Sequence, residues 1–283
     1  MSNIKIITDG SCDFPKEILE LVDPDIVRIN VAFGEESYIS GVDIDEKMFY
    51  EKMGESKELP KTSSPSLERF LELYKREDYE EIIVFTLTSK LSSTYSNAVI
   101  SKNMYLEEYK DKRIEVIDTE SGSIGAALMI LKTYELIKNG KNMDEILEAV
   151  EQMKKDIIFY GTLNTLENAI KGGRVNPIAG KLINALNFKV IIKIDEGLVK
   201  PIDKARGEGN SLKKLFTYIK NSVDINEIES KDIIVGHANC PEKAEKIKKF
   251  IEDHYNFEKT LIANIGPIMG TFTAEGAILI AVL

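Results

Sequence analysis

Short apolar runs rich in β-branched residues recur through the first part of the chain, at Ile4 to Thr8, Ile82 to Thr86 and Ile114 to Ile117. Each is followed by a polar turn and then by a helical pattern, which predicts parallel strands joined by helices in a three-layer α/β/α arrangement. Met143, Ile146, Leu147, Val150 and Met153 fall on one helical face and predict a helix over 142–155, with Asn142 as its N-cap and Asp144 and Glu145 in its first turn. Beyond that helix the pattern changes. Asp156 to Leu163, Asn187 to Ile194, Leu198 to Pro201, Asp232 to His237, Lys259 to Ile265 and Ala277 to Val282 read as strands, and Glu196-Gly197 sits between two of them as a hairpin turn. A hairpin requires antiparallel neighbours, so the second sheet is mixed. The expected fold is α/β in two domains, a parallel three-layer domain over 1–158 and a mixed-sheet α/β domain over 159–283. No internal repeat or low-complexity segment interrupts either part.

Composition narrows the function classes. The 283 residues carry 37 basic and 47 acidic side chains, a formal charge of -10, so the electrostatic footprint of a nucleic-acid or anionic-membrane binder is absent. The first ten residues, MSNIKIITDG, lack the basic and apolar regions of a signal peptide. The longest apolar run, Ala277 to Leu283, is too short to span a bilayer, and a cytoplasmic location is expected. Cys12 and Cys240 are isolated and belong to no cluster of metal-ligand spacing, so neither a disulfide framework nor a structural zinc is expected.

The candidate chemistry lies in hydroxyl-rich segments: Thr8-Asp9-Gly10-Ser11, Lys61-Thr62-Ser63-Ser64-Pro65-Ser66, Thr88-Ser89-Lys90-Leu91-Ser92-Ser93-Thr94 and Gly270-Thr271-Phe272-Thr273, with Gly172-Gly173-Arg174 as a cationic fifth. Three stand where a strand ends or a helix begins, where free backbone N–H groups favour an anion. Each also has a simpler account. The first is a tight turn before a helix, and Ser64 or Ser66 could cap the helix carrying Leu67, Phe70, Leu71 and Tyr74. One helix needs one cap, however, which leaves Thr62 free to point elsewhere. Ser92 and Ser93 follow a parallel strand at its carboxyl end, the usual place of ligand sites in open α/β sheets. Gly172-Gly173 reads as a helix C-cap, which accounts for the glycines and not for Arg174, a fork suited to a carboxylate or phosphate or else a solvated side chain. Lys204-Ala205-Arg206-Gly207 carries the same ambiguity. His237 ends a strand and reads as structural, and His254 as solvated. Donors without an adjacent base suggest holding a charged head group more than transforming it.

Taken in order, these segments resemble the DegV family, which includes the fatty-acid-binding subunits of bacterial fatty acid kinase. The likeness covers essentially the whole chain. Besides the hydroxyl segments it rests on Leu166-Glu167-Asn168 with Lys171-Gly172-Gly173-Arg174, on Lys204-Ala205-Arg206-Gly207, on Val235-Gly236-His237-Ala238 and on Ile265-Gly266-Pro267. The resemblance implies a two-domain fold with one long-chain fatty acid between the domains, its carboxylate held by Thr62 and Ser92 with Arg174 nearby. By the same match the chain is a lipid-binding protein and not an enzyme, with a fatty acid kinase catalytic subunit as its partner and no cofactor or metal. Kinase-coupled members commonly carry a histidine in a Gly-Thr-His-Thr-Gly-Pro-Gly segment, where this chain has Gly270-Thr271-Phe272-Thr273-Ala274-Glu275-Gly276. Phe272 cannot bond a carboxylate and is expected to extend an apolar wall. The candidate binding residues are Thr62, Ser92, Ser93, Arg174, Thr271 and Phe272. Two alternatives stand beside this reading: an enzyme or kinase component acting on a small anionic metabolite, and a degenerate member retained for interaction.

Overall fold

The structure, a computed structural model, describes residues 4–177, 188–224 and 226–283. Strands β1 (Ile4–Asp9), β2 (Asp25–Val27), β6 (Glu81–Thr86) and β7 (Arg113–Asp118) form an all-parallel sheet in the order β2-β1-β6-β7. β6 is buried from Ile82 to Thr86 because both sheet faces are covered, and for that reason it reads as an unbroken apolar run. On the outer face lie α3 (Leu67–Tyr74) and α4 (Thr94–Glu108), whose Phe70, Tyr74, Ala98 and Tyr105 pack over Ile7, Ile82, Val84 and Ile114.

The second sheet contains β8 (Ile158–Leu163), β9 (Phe188–Asp195), β10 (Leu198–Arg206), β11 (Asp232–His237), β12 (Lys259–Asn264) and β13 (Ile278–Val282), in the order β10-β9-β8-β13-β11-β12. Only β11 and β12 pair in parallel, so the sheet is mixed, as the hairpin required. Glu196 and Gly197 both adopt positive φ, the type I′ geometry that matches strand twist. The outer face is covered by α8 (Glu208–Ser222) and α9 (Pro241–His254) through Leu215, Ile219, Ala244, Ile247 and Ile251.

Between the sheets runs α5 (Ser123–Lys138), flanked by α1 (Lys16–Val22) and α6 (Met143–Asp156). Every residue of α5 from Ile124 to Leu131 is buried, as expected of a helix that meets a sheet on each side and has no solvent face over those turns. A single apolar cluster therefore joins Ile6, Ile83 and Phe85 of the parallel sheet to Phe159, Ile192 and Leu279 of the mixed sheet. The cap predicted for α6 is a full capping box: Asn142 accepts from the Glu145 N–H at 3.1 Å and Glu145 accepts from the Asn142 N–H at 3.0 Å.

Several boundaries differ from the sequence reading. Asp156 is the last residue of α6, and β8 starts at Ile158. Asn187 lies outside the described residues. β10 continues past the expected end at Pro201, through an irregularity at Pro201/Asp203, as far as Arg206, so Lys204-Ala205-Arg206 sits on a strand. The sequence reading also omitted β2 and a third, antiparallel sheet, β4-β3-β5, made of β3 (Asn30–Phe33), β4 (Glu36–Ile39) and β5 (Lys61–Ser63). Thr62 is thus a strand residue paired with Val31 and not part of a loop before α3.

Candidate functional site

A cleft opens between the parallel and mixed sheets, enclosing about 960 Å³ between atoms including its mouth. The mixed sheet supplies the apolar floor. On β8, side chains alternate between faces, so Phe159, Gly161 and Leu163 share one face, and β9 places Ile192 and Ile194 beside them. Phe159, Leu163, Ile192 and Ile194 all line the cleft. Gly161 leaves room there for its neighbours, since a Cβ would come within 2.6 Å of Leu279 Cδ2 and 3.1 Å of Ile192 Cγ1. The opposite wall comes from β5, from the 87–92 loop after β6, and from Ser121-Gly122 at the start of α5. One further element completes the lining: α10 (Pro267–Thr273), through Ile268, Met269 and Phe272.

Polar groups gather where β5 meets the 87–92 loop. The Ser64 and Ser92 hydroxyls lie 3.0 Å apart, Ser93 donates to Ser64 at 2.9 Å, and Ser92 lies 2.8 Å from the Thr94 hydroxyl. Thr62, on β5 two residues before Ser64, lines the cleft, and its hydroxyl has no hydrogen-bond partner among the described residues. Arg174 is placed by α7 (Glu167–Lys171), which ends on Gly173 at φ +76 with the Arg174 N–H bonded to the Ala169 carbonyl, 2.9 Å. Its guanidinium donates from Nε to the Leu91 carbonyl at 3.1 Å and from Nη1 to the Gly172 carbonyl at 2.6 Å. The same guanidinium stacks over the Phe272 ring, 4.9 Å from its centroid. Arg174 is the one charged side chain among the described residues that line the cleft, so the polar end is cationic and rich in donors, with no carboxylate to oppose an anion.

The sequence candidates do not all arrive here. Thr62, Ser92, Arg174 and Phe272 line the cleft, and Ser93 joins through Ser64 from an exposed position. Thr271 does not line it: its hydroxyl is buried and donates one turn back to the Pro267 carbonyl at 2.9 Å. Thr273 lines the cleft, although its hydroxyl likewise bonds the Met269 carbonyl. The Thr8 to Ser11 segment is also internal. Asp9 accepts from the Ser11 N–H and hydroxyl and from the Leu87 N–H at 2.6 Å, fixing the start of the cleft loop from behind. Neither Ser64 nor Ser66 caps α3 through its side chain; Ser64 is spent on Ser92 and Ser93. Ser64 was read only as a cap, and the surplus of hydroxyls over helix starts was the available signal. His237 is buried, accepts from the Cys240 N–H at 3.3 Å, and is held below its ordinary pKa by burial. His254 stacks on Phe250 at the surface, and Arg206 is exposed on β10 away from the cleft.

Two groups that the sequence reading did not single out tie the walls together. Asp13 accepts from the Ser123 hydroxyl at 2.5 Å and from the Gly266 N–H at 2.8 Å, linking the segment after β1 to the starts of α5 and α10. Burial pushes its carboxyl up to about 7. The Tyr50 hydroxyl, on α2 (Glu46–Glu55), donates to the Ile265 carbonyl at 2.9 Å and fixes α10 from the other side. Ser121 is an exception to this satisfaction: its buried hydroxyl has no partner among the described residues. A buried unpaired hydroxyl costs about 1–3 kcal/mol, so Ser121→Ala is expected to raise the thermal midpoint, read by calorimetry; a marked fall would mean that the hydroxyl is bonded in solution.

Among the described residues, no cluster of three or more His, Cys, Asp or Glu is placed to hold a metal, and no helix is long and apolar enough to cross a membrane. The DegV family model matches residues 3–283. A DegV domain-containing protein of Clostridium perfringens (strain 13 / Type A) is 30% identical over 286 residues, covering 98% of this chain and 96% of the relative. A DegV family crystal structure from Ruminococcus gnavus, refined with vaccenic acid, is similar with a TM-score of 0.92 at 29% identity, covering 99% of this chain and 100% of that one. A stearic acid-binding protein from Eubacterium ventriosum is similar with a TM-score of 0.91 at 26% identity, covering 100% of this chain and 98% of that one. Matched from end to end in sequence and in fold, the chain belongs to the DegV family.

Proposed function

We propose that this protein binds one long-chain fatty acid in the cleft, with the carboxylate at the Thr62, Ser92 and Arg174 end and the tail along β8 and β9. The observation that carries this reading is the composition of the cleft: an apolar floor ending in hydroxyls and one arginine, with the Thr62 hydroxyl unpartnered. The magnitudes agree. Burying roughly 14 methylenes at about 0.8 kcal/mol each gives on the order of 11 kcal/mol before binding costs, and a charge-assisted hydrogen bond adds about 1.5–3 kcal/mol. The tail supplies affinity and the polar end supplies orientation. A small anion would leave the apolar floor unused.

In this reading the segments 1–158 and 159–283 act as two lobes around the acyl chain, and the protein works in the cytoplasm as a carrier without chemistry of its own. It offers the carboxylate to a fatty acid kinase catalytic subunit. Ser93 and Ser64 support Ser92, and Phe272 supports Arg174, where kinase-coupled relatives carry a histidine. Thr62→Ala and Ser92→Ala are each expected to weaken fatty-acid binding by roughly five- to tenfold, the worth of about one hydrogen bond, with the thermal midpoint little changed. Titration calorimetry with oleate checks this, and unchanged affinity in both variants would remove the head-group assignment. Turnover of a small carboxylate or phosphate by the isolated chain would favour the enzyme reading instead.

A further inference from the structure

Where β8 begins and β9 ends, a second hollow of about 1100 Å³, mouth included, adjoins the cleft. It is lined by charged groups, including Lys154, Lys155, Lys193 and Glu196. Three residues, Ser121, Phe159 and Ile194, line both spaces, so the partition between them is one side chain thick. Phe159 is its largest member and is 3% exposed. Its ring is seated against α5 at Gly125, where a Cβ would come within 2.8 Å of Phe159 Cδ1. A glycine inside a helix costs about 1 kcal/mol relative to alanine, and here it makes room for the Ser121 hydroxyl, which lies nearer still to the same Cβ position, as well as for that ring. Ile194 pairs across the hairpin with Val199, and both line the cleft, which completes the wall beside the ring.

The position of this wall along the cleft follows from strand geometry. Leu163 stands at the end of β8 that leads into α7 and Arg174, and Phe159 lies four residues earlier on the same face, about 13 Å away at the usual strand rise. Phe159 and Leu163 thus mark opposite ends of the apolar floor along β8, with the partition at the Phe159 end.

We propose that Phe159, with Ile194, is the end stop that sets the longest acyl chain the cleft accepts. The proposal rests on the fatty-acid reading of the cleft and adds to it the residue that fixes tail length. An acyl chain gains affinity with each buried methylene until its methyl end meets the ring. Beyond that length it must bend, withdraw its carboxylate from Thr62 and Ser92, or displace Phe159 toward the charged hollow. Removing the ring joins the two spaces and lets a longer tail pass through.

The test is a titration of wild type, Phe159→Ala, Phe159→Leu and Ile194→Ala with the saturated series from lauric to behenic acid, each variant first shown to be folded by its thermal melt. In wild type, affinity is expected to rise along the series and then fall. In Phe159→Ala the maximum moves to a longer acid, with behenic acid gaining on the order of tenfold over wild type, the effect of about two newly buried methylenes, while lauric acid gains nothing. Phe159→Leu and Ile194→Ala give smaller shifts in the same direction, and they decide the matter if the alanine variant at Phe159 does not fold. An unchanged length profile in the folded variants, with wild type still binding, overturns the end stop alone. If no acid in the series binds wild type, the fatty-acid reading falls and the end stop falls with it.

Discussion

Replacing Asp13 with asparagine is expected to stabilise the protein increasingly as pH rises from 5 to 8. The Asp13 carboxyl is pushed up from 3.8 to about 7, chiefly by burial and further by the nearby Glu46 and Asp9 carboxylates, against the opposing hydrogen bonds from Ser123 and Gly266. A group whose pKa is higher folded than unfolded contributes stability that is fully present below the unfolded value. That contribution is lost as pH rises through the folded value. A rise from 3.8 to about 7 corresponds to on the order of 4 kcal/mol across that window. Asparagine keeps the oxygen that accepts from the Gly266 N–H and presents an NH₂ to the Ser123 hydroxyl, as a neutral acid would. Wild type and variant should therefore be similar in stability below the unfolded value of 3.8, differ by on the order of 1–2 kcal/mol at pH 5 and by on the order of 4 kcal/mol at pH 8. His237 acts in the opposite sense, because burial holds it below 6.5 and acid then favours the unfolded chain, but it is common to both proteins and cancels in the difference. Asp13→Ala, which leaves a buried N–H and a buried hydroxyl unpaired, should destabilise by about 2–5 kcal/mol at low pH and by progressively less as pH rises, since it too lacks the titrating carboxyl. Parallel pH profiles for wild type and the asparagine variant would show that Asp13 is not titrating where its burial places it.

The second large effect is expected at Arg174. Under the proposed function, Arg174→Ala removes the one positive charge among the described residues lining the cleft and the bond to the Leu91 carbonyl, next to Ser92, and should weaken fatty-acid binding about 10- to 100-fold. Arg174→Lys should recover only part of this, since an ammonium does not present the guanidinium's planar fork to the Leu91 and Gly172 carbonyls over the Phe272 ring. Phe272→Leu keeps the apolar wall but removes the ring beneath the guanidinium, a contact of about 0.5–2 kcal/mol, and is expected to cost two- to twentyfold. Because the two residues act through one contact, the double variant should lose less than the two single losses combined. Additive losses in calorimetric titration would separate Phe272 from the head-group site and return it to the role of plain wall.

Much of the architecture was legible in the chain, and the parts that were not share a cause. β6 and β11 are buried on both faces and therefore read as continuous apolar runs, while α6 has a single buried stripe and a cap box written in Asn142 and Glu145. The β4-β3-β5 sheet escaped notice because its strands are three or four residues long and carry Glu36, Ser37, Lys61 and Ser63 to the exterior. α5 has no readable stripe over its first turns because sheets bury it on both sides. Individual site residues were visible as surplus hydroxyls, and Thr62, Ser92 and Arg174 do line one cleft. Their junction was not visible, since the Ser64 to Ser92 contact spans 28 positions and Asp13 to Gly266 spans 253. Thr271 shows the converse: hydroxyl composition suggested a ligand contact, and the helix uses that hydroxyl for its own backbone. The Phe159 partition had no sequence signature at all, since a phenylalanine on a strand is ordinary core until a second cavity is found behind it.

The most direct test is to denature the purified protein, extract it with organic solvent, and identify released lipid by mass spectrometry against a matched blank. A fatty acid recovered at close to one equivalent per chain is the predicted result. A clean extract from well-folded protein that also fails to bind added oleate would contradict the account.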